Sequence, residues 1–575
     1  MSKKYHAWGR PFVCGGALSF FMMAPVCGQA IEFGGDVVSG NIDSTVSLGT
    51  ISRVQDRDSA TVCQANGGTA YSCNFDDGNL NYDTGIVSQV AKIVSDIELD
   101  HKSGNMGAFF RVRAYMDTRN NDNTDTKRTD LSDRGVKLIG KDLDVLDAYG
   151  WLRFDVADRP AEFRFGKHVL NWGESTFIPG GISAINPVDM AALRTPGSEI
   201  REALLPVNML SASMHATDDL SVEGFYQLEW DKVVMEPAGS YFSANDVVSD
   251  GGDTLYLGWG NPLIRDDIGT LGLTPGQHYI SRAADRKAGD GGQWGVALRH
   301  LAEGLNDTEF GVYYMNYHSR TGVMSGTLVG GVVPNYFFEY PEDIRQLGLS
   351  FNTSVGKWAL QGEYSYKNDA PLQIDDIEIV LATLGQPSQV TPSGPYIQGY
   401  IKRDASQMQA TMSRVFGNVM GANEFTFAGE AAITHLHDMP DKNVLRLEGP
   451  GTTASGNPLH RYHPVLNPNG SPIVESADHF PDATSWGYRL SGQWTYNDVF
   501  KGVNLLPHAA FQHDVQGVSP TFNFLEGRKA TTVGVTATYQ EEWAANISYT
   551  SFFGAGRYNL LNDRDYVQAS VKYSF

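Results

Sequence analysis

Residues 566–575 read YVQASVKYSF and alternate between apolar and polar side chains. Every second residue from Val567 to Tyr573 is apolar, and the residues between them are polar. A period of two is expected for a β-strand that presents one apolar and one polar face. The two preceding segments, 532–539 and 543–550, repeat the alternation and gather aromatic residues at their ends. Aromatic residues at the ends of alternating strands are typical of transmembrane β-barrels.

The same alternation recurs along the whole chain. It predicts strands at 41–53, 86–100, 106–117, 145–156, 161–168, 207–216, 220–231, 292–300, 308–318, 344–353, 357–367, 401–416, 423–437, 485–497, 504–515, 531–540, 543–552 and 566–575. Short turns alternate strictly with long connections, as in outer-membrane barrels with short periplasmic turns and long outer loops. The sequence therefore predicts an all-β fold, a transmembrane antiparallel β-barrel of about 18 strands within a range of 16 to 20.

The amino-terminal residues 1–30 are predicted to be a cleaved secretory signal peptide, because basic residues precede an apolar run and small residues precede the expected cut. A membrane anchor is disfavoured, since the run contains Pro25 and is shorter than the roughly 20 residues that span a bilayer. We expect the mature chain to begin near Ile31 and to form a single barrel domain over 31–575. The predicted location is the outer membrane of a Gram-negative bacterium.

Two of the four cysteines fall in the predicted signal peptide, which leaves Cys63 and Cys73. Two cysteines ten residues apart in an exported protein predict one disulfide that closes a small loop. A metal site is disfavoured because no histidine lies near them. Attachment of lipid to Cys27 is also disfavoured, since Ala24 and Val26 stand where a lipoprotein signal usually has leucine and a small residue.

The formal net charge is −22, which makes nucleic acid an unfavourable partner. Acidic outer loops are common beside the lipid and lipopolysaccharide of the outer membrane, where divalent cations are present. Polar strand positions should face the barrel lumen, and the predicted lumen-facing charges are Arg111, Arg113, Arg153, Glu162, Arg164, Glu223 and Glu363. Their mixed sign favours ion-paired ladders on the inner wall over selectivity for one sign of ion.

Residues 169–206 are too long for a turn and too apolar for a mobile surface loop. Residues 179–181 are predicted to turn, and 189–194 to start a short helix. We expect the segment to fold back into the barrel mouth as a constriction or plug; the alternative is packing on top of other outer loops, of which 232–291 and 438–484 are the longest. The residues expected to line the gate or substrate path are Trp172, Glu174, Phe177, Asn186, Asp189, Arg194 and Glu202.

Several stretches resemble a family of large outer-membrane proteins of Gram-negative bacteria that is described only as a domain of unknown function. They include NWGESTFIPGGISAINPVD at 171–189, YPEDIRQLGLSFNT at 340–353 and GEAAITHLHDMPD at 429–441. The family occurs with a periplasmic lipid-carrier-like protein and an inner-membrane permease of the resistance-nodulation-division type. The resemblance implies passage of lipids or other hydrophobic molecules across the envelope. The terminal Phe575 also resembles the signal read by the barrel-assembly machinery.

The function predicted is therefore a transport barrel for a hydrophobic or amphipathic small molecule or lipid, gated by residues 169–206. The alternatives are an outer-membrane enzyme acting on lipid and a general porin. His435, His437 and His513 are the candidates for an enzyme, but neither a G-x-S-x-G nor an H-E-x-x-H motif is present. The acidic run at 117–125 lacks the glycine and terminal glutamate of a calcium loop. No catalytic residue, cofactor or metal site is predicted.

Overall fold

The structure is a computed structural model that describes residues 30–264, 269–329, 333–456 and 475–575. The predicted signal peptide lies outside the described residues, apart from Ala30. Part of each of the long outer loops 232–291 and 438–484 lies outside them as well.

Eighteen strands close into one antiparallel barrel. They are β1 Val38–Arg53, β2 Gly85–His101, β3 Met106–Asp117, β4 Lys141–Val156, β5 Arg159–His168, β6 Val207–His215, β7 Leu220–Gln227, β8 Trp294–Ala302, β9 Thr308–Tyr317, β10 Ile344–Val355, β11 Trp358–Gln373, β12 Tyr400–Gly417, β13 Glu424–Leu436, β14 Thr484–Phe500, β15 Val503–Gln516, β16 Lys529–Tyr539, β17 Trp543–Phe553 and β18 Tyr566–Ser574. The register from Thr45 with Ser574 to Arg53 with Tyr566 closes the ring. The predicted fold class is confirmed, and each predicted strand has a counterpart.

The barrel is apolar outside and polar inside. On β17, Trp543 and Ile547 are 45% and 52% exposed, whereas Asn546 and Ser548 are 7% and 9% exposed. Strands that alternate in this way place one set of side chains on the outer surface and the other in the interior. The arrangement is typical of a barrel whose outer surface faces lipid.

The two ends of the barrel differ in their connections. Turns of two to six residues join the strands at one end, and the connections at the other end have at least twelve residues. In the two-residue turn between β4 and β5, both Ala157 and Asp158 have positive φ, 50° and 61°. This conformation matches the twist of two adjacent antiparallel strands. At the short-turn end, an additional strand, Ile31–Gly34, pairs with the start of β1.

The long-connection end carries a second sheet of five strands. Its order is Tyr396–Ile397, Val323–Val329, Val333–Glu339, Tyr279–Arg282 and Thr254–Tyr256. A helix, Asp376–Thr383, contributes Ile379 and Leu381 to a core that includes Trp230, Trp259 and Phe338. We call this sheet and helix the cap and the cap helix. The sequence predicted only loops here, because strands of two to seven residues give too little alternation to identify.

The cap helix has eight residues, and none of the helices in the described part of the chain has the length and apolarity needed to cross a membrane.

The predicted disulfide between Cys63 and Cys73 is present in the connection between β1 and β2. This is the first of the long connections, which we call the outer connections. The backbone N–H of Cys63 donates to Oδ2 of Asp76 at 2.9 Å, which fixes the loop against the short helix Asp77–Leu80.

Candidate functional site

The connection between β5 and β6, residues 169–206, crosses the barrel interior. We call it the inner segment. It contacts Glu430 on β13 and Glu363 on β11, and it also contacts Lys92 on β2. In a ring of eighteen strands, β2 and β11 lie half a circumference apart. A chain that reaches both walls must therefore pass through the lumen.

Glu430 holds the inner segment by its backbone. Its carboxylate accepts the N–H groups of Thr176 at 3.1 Å and Ile178 at 3.0 Å, and it also accepts the N–H of Phe177. Three consecutive amides thus converge on one buried carboxylate, and charge-assisted hydrogen bonds of this kind are stronger than neutral ones. Glu430 lies in an inward strand position, but its role as an anchor has no local signal in the sequence.

Glu363 holds the segment in the same way from the neighbouring wall. Its carboxylate accepts the N–H groups of Glu174 at 2.5 Å and Ile182 at 2.8 Å. A Cβ at Gly181 would lie 1.7 Å from Oε1 of Glu363, and Gly173 has φ +93° beside the same carboxylate. Glycine is required at both positions because a side chain would displace the carboxylate. We call Glu363 and Glu430 the carboxylate latch.

The wall also supplies donors for the carbonyl groups of the segment. Four side chains donate at 2.8 Å: Gln361 to Glu174, Gln407 to Pro179, Lys367 to Gly180 and Gln346 to Gly181. Backbone groups without secondary-structure partners need such hydrogen bonds once they are removed from water. The extended chain at 174–182 is therefore held by side chains instead of by a helix or sheet.

Apolar side chains cover one part of the inner wall. Trp172 and Ile182 pack against inward residues of β6 to β10, which we call the apolar strip: Met209, Phe225, Ala297, Tyr313, Met315, Tyr317 and Ile344. The ring of Trp172 lies 5.1 Å from that of Phe225, and its Nε1 donates to Glu223 at 2.8 Å. The inner segment thus shields a continuous apolar surface inside the barrel.

The second half of the segment is held by ion pairs. Glu202 contacts Lys92 at 2.6 Å, and Glu199 contacts Lys572 at 3.0 Å. Arg201 contacts Asp96 at 2.7 Å. Lys92 on β2 and Lys572 on β18 thus face acidic residues of the segment, and Asp96 on β2 faces a basic one, whereas the carboxylate latch faces its amides.

The side chains of two of the predicted gate residues are not paired with charged residues of the barrel wall in the described contacts. Arg194 contacts Glu236 of an outer connection at 3.6 Å. Glu174 accepts from the neutral amide of Asn352 at 3.0 Å instead of from a basic group. Asn186 stabilises the base of the segment, where its Oδ1 accepts from the N–H of Leu170 at 2.9 Å.

The remaining gate residues lie in the segment as well. Phe177 packs with Ile178 against Phe524, a residue of the connection between β15 and β16. Asp189 caps the helix Met190–Arg194 by accepting from Ala192, and it lies 3.9 Å from Arg113. The helix forms where the sequence predicted it.

The predicted lumen-facing charges fall into two groups. Arg111, Arg153, Glu162 and Arg164 pair within the wall, through contacts of Arg111 with Asp96 and Asp147 and of both other arginines with Glu162. Arg113, Glu223 and Glu363 contact the inner segment. Sequence reasoning missed Lys92 and Lys572 as residues that hold the inner segment. Both lie at inward-facing positions of their strands, and this position could have identified them.

The inner segment also contacts the outer connections. The buried guanidinium of Arg320 donates to the carbonyl of Ile185 at 2.5 Å and to the carbonyl of Asp231 at 2.8 Å. The N–H of Val234 donates to the carbonyl of Val188 at 2.9 Å. The segment is therefore bound on its outer side to the connections that build the cap.

Burial raises the pKa of several carboxyl groups in and around the segment. It raises the pKa of Glu174 to about 7 against the hydrogen bond from Asn352, and that of Asp189 to about 6 against the attraction of Arg113. Burial likewise raises the pKa of Glu236 to about 7. For Glu199 burial acts in the same direction, but Lys572 and Arg201 lower its pKa to about 2.

Docking of the inner segment should weaken as the pH rises. A docked Glu174 has a pKa of about 7 against the ordinary 4.5, so the docked state holds a proton that a released segment loses between these values. Opening events in planar bilayers should increase from pH 5 to pH 7 and level off above, by at most about tenfold per unit for each group. Asp189 and Glu236 titrate in the same direction, so Glu174→Gln should reduce the effect without abolishing it. Opening that increases at low pH would contradict this assignment.

The candidate enzyme residues have neutral partners near the rim. Nδ1 of His435 lies 2.8 Å from Oγ1 of Thr484, and Nε2 of His437 lies 3.0 Å from Oγ of Ser406. The ring of His513 lies 5.6 Å from that of Tyr488. Within the described ranges, the groups of carboxylate, cysteine or histidine side chains that converge closely enough for a metal contain no histidine.

The sequence profile of a family described as a protein of unknown function (DUF1302) matches residues 12–575. Among solved structures, the chain is similar to Pseudomonas aeruginosa OpdK with vanillate, at 10% identity and a TM-score of 0.40 over 94% of this chain and 98% of that one. It is similar to a BenF-like porin from Pseudomonas fluorescens at 9% identity and 0.40, over 93% and 98%. Acinetobacter baumannii OccAB3 gives 10% and 0.41, over 93% and 99%. Curated proteins give no match. At these identities and TM-scores the likenesses do not indicate what this chain binds.

Proposed function

The chain belongs to the DUF1302 family of proteins of unknown function, and we propose that it is a gated passage through the outer membrane for a hydrophobic or amphipathic small molecule or lipid. The observation that carries the proposal is that the inner segment covers an apolar strip inside an otherwise polar barrel. Location in the outer membrane of a Gram-negative bacterium is supported by the closed ring of strands and its apolar outer surface.

A barrel of this size has room for a transport path. Barrels of 16 to 18 strands enclose an aqueous channel unless other parts of the chain fill it. Here the inner segment crosses the lumen between opposite walls, and we propose that passage of cargo requires the segment to move. The contacts that hold it are apolar packing, hydrogen bonds and ion pairs, and the neutral hydrogen bonds contribute about 0.5–1.5 kcal/mol each. The barrel itself rests on strand pairing that the segment does not share, so release of the segment leaves the ring closed.

The apolar strip favours a hydrophobic cargo over small hydrophilic solutes. Met209, Phe225 and Met315 would face the lumen once Trp172 moves away. An apolar molecule gains free energy by contact with such a surface, at roughly 25 cal/mol per Å² removed from water. A general porin needs no continuous apolar surface, because its solutes remain hydrated.

The proposal extends to partners at the periplasmic side. The short-turn end carries Arg153, Glu162 and Arg164, which pair within the wall and make no hydrogen bond or ion pair with the inner segment among the described contacts. A periplasmic lipid-carrier-like protein would receive or deliver cargo at this end, with an inner-membrane permease behind it. We also propose that the barrel contacts lipopolysaccharide on the outside. The barrel-assembly machinery would insert it by recognising the last strand.

Uptake by a deletion strain tests this function. Loss of the protein should reduce accumulation of labelled hydrophobic compounds and of lipids, and leave accumulation of a small sugar unchanged. Complementation with the full chain should restore accumulation of the hydrophobic compounds. Complementation with the variant His435→Ala/His437→Ala/His513→Ala should restore it as well. A defect that extends equally to sugars would indicate a general porin, and a chemical product that disappears with the histidines would indicate the enzyme.

A further inference from the structure

The geometry points to a calcium site in the cap, formed by Asp375, Asp376 and Glu448. We infer that these three carboxylates hold one Ca²⁺ and thereby fasten the cap helix to the outer connection after β13. Each carboxylate offers one oxygen, and the three oxygens lie within 4.8 Å of one another. The site is separate from the inner segment and does not depend on the proposed transport function.

The backbone builds this arrangement from distant parts of the chain. Ile374 and Leu447 form an isolated antiparallel bridge beyond the end of β11. The N–H of Glu448 donates to the carbonyl of Gln373 at 2.9 Å, and the N–H of Asp375 donates to the carbonyl of Arg446 at 3.1 Å. This register places Glu448 directly beside the first turn of the cap helix.

Two of the carboxylate oxygens point to a missing ligand. Asp375 is fully buried, and among the described residues its Oδ2 has no hydrogen-bond partner. Oδ1 of Asp376 is likewise buried without a partner in the described ranges. Buried polar atoms in native proteins almost always have a partner, and one without it needs a ligand, a water or an ion. A cation between the carboxylates would satisfy both oxygens.

The charge of the cluster also requires compensation. The carboxylates of Asp375, Asp376 and Glu448 each place an oxygen within 4.8 Å of the others, so their negative charges repel one another at close range. Arg446 attracts Asp375, but it makes no ion pair with the three carboxylates in the described contacts. Glu378 adds a fourth negative charge, which Ser388, Ser455 and the N–H of Gln389 hold through neutral hydrogen bonds.

The cap helix explains only part of the cluster. Asp375 is its N-cap and accepts from the N–H of Ile377 at 3.2 Å. The positive end of a helix favours one or two acidic side chains in its first turn. It also holds Glu448, whose Oε2 accepts from the N–H of Asp376 at 2.7 Å. It leaves Oδ2 of Asp375 and Oδ1 of Asp376 without a partner in the described ranges, and a divalent cation would satisfy these two oxygens.

Calcium fits better than magnesium or a transition metal. Three carboxylates are hard oxygen ligands, and no histidine or cysteine belongs to the group. Ca²⁺ accepts six to eight oxygens at 2.3–2.6 Å in irregular geometry, whereas Mg²⁺ demands near-ideal octahedral geometry and retains its water. The bound ion would join residues 373–376 to 446–448 above the barrel mouth.

Terbium luminescence provides the direct test. Trp259 and Asp376 line one small cavity, so Trp259 is placed to sensitise a bound Tb³⁺. The full chain, purified in detergent without lipopolysaccharide and treated with EDTA, should give saturable Tb³⁺ emission under tryptophan excitation. Ca²⁺ should displace Tb³⁺ with a midpoint of about 10⁻⁴–10⁻³ M, and Mg²⁺ should need at least about tenfold more.

The variant Asp376→Asn/Glu448→Gln should bind Tb³⁺ at least about tenfold more weakly. Asp246→Asn is the matched control. It lies in a second acidic group with Asp76 and Asp77, in which Asp246 accepts from the N–H of Asp77, and it should retain wild-type binding. Unchanged binding by the double variant, or loss of binding only in Asp246→Asn, would overturn the proposal.

Thermal melting followed by tryptophan fluorescence gives a second readout. Ca²⁺ should raise the melting midpoint of the wild-type cap and leave that of the double variant unchanged. In EDTA the double variant should melt no lower than the wild type, because the substitutions remove repulsion between carboxylates. If the double variant does not give a folded barrel, Glu448→Gln alone should show the weakened binding. A wild-type midpoint that is insensitive to Ca²⁺ would also overturn the site.

Discussion

Replacement of residues 175–200 by a short Gly/Ser linker should convert a nearly closed barrel into an open pore. The strands pair with their neighbours around the whole ring, so the barrel should remain folded without the inner segment. The lumen would then be lined by the carboxylate latch on one side and by Lys92 and Lys572 on the other. Single-channel conductance in planar bilayers should rise on the order of tenfold or more.

Two controls accompany this experiment. The heat-modifiable mobility of the variant shows that the barrel is folded, and a deletion of the exposed residues 270–272 tests for unspecific effects of shortening an outer connection. Cells that carry the variant should also become more susceptible to detergents. Equal and large conductance of the variant and the full chain would show that the inner segment does not close the path.

Removal of the carboxylate latch should release the inner segment without shortening the chain. Glu363 and Glu430 together accept five backbone N–H groups of the segment. Hydrogen bonds to charged groups contribute about 1.5–3 kcal/mol each, and the amides left behind would be buried without acceptors. A loss of about 3 kcal/mol corresponds to a more than 100-fold increase in the released population. Glu363→Ala/Glu430→Ala should therefore open frequently in bilayers at a pH where the wild type stays closed.

Two further variants isolate the role of the latch. Glu430→Gln keeps one acceptor oxygen and should give an intermediate opening frequency. Glu162→Gln removes a lumen carboxylate that pairs only with wall arginines among the described contacts, and it should behave as the wild type. A cysteine at Ile178, which is fully buried, should become accessible to a soluble thiol reagent only in the latch variants. Labelling at the same rate in all variants would show that the latch does not hold the segment.

The barrel could be predicted because each strand carries its own evidence. Alternation along β17, from Trp543 to Phe553, needs no knowledge of any other strand. The placement of residues 169–206 could be anticipated from their length and apolar side chains. The latch could not, since it joins carboxylates on β11 and β13 to backbone amides, and every residue but proline has such an amide.

The cap and its carboxylate cluster could not be predicted from the sequence, for a different reason. Asp376 and Glu448 are 72 positions apart and meet only through the register of Ile374 with Leu447. No local sequence pattern predicts an isolated β-bridge between two connections. Strands such as Thr254–Tyr256 are too short to show a period, and their pairing follows from the core that they share with the cap helix.

Arg320 has a consequence for communication between the cell surface and the lumen. Its guanidinium binds the carbonyl of Ile185 inside the barrel and that of Asp231 in an outer connection. A buried cation cannot lose such acceptors without a large cost, so the segment is harder to release while Arg320 stays in place. A molecule that binds outside and shifts Arg320 would ease release, and thermodynamic reciprocity requires that release tighten binding of that molecule by the same factor. Binding of cargo at the surface and release of the segment from the lumen would then be thermodynamically coupled.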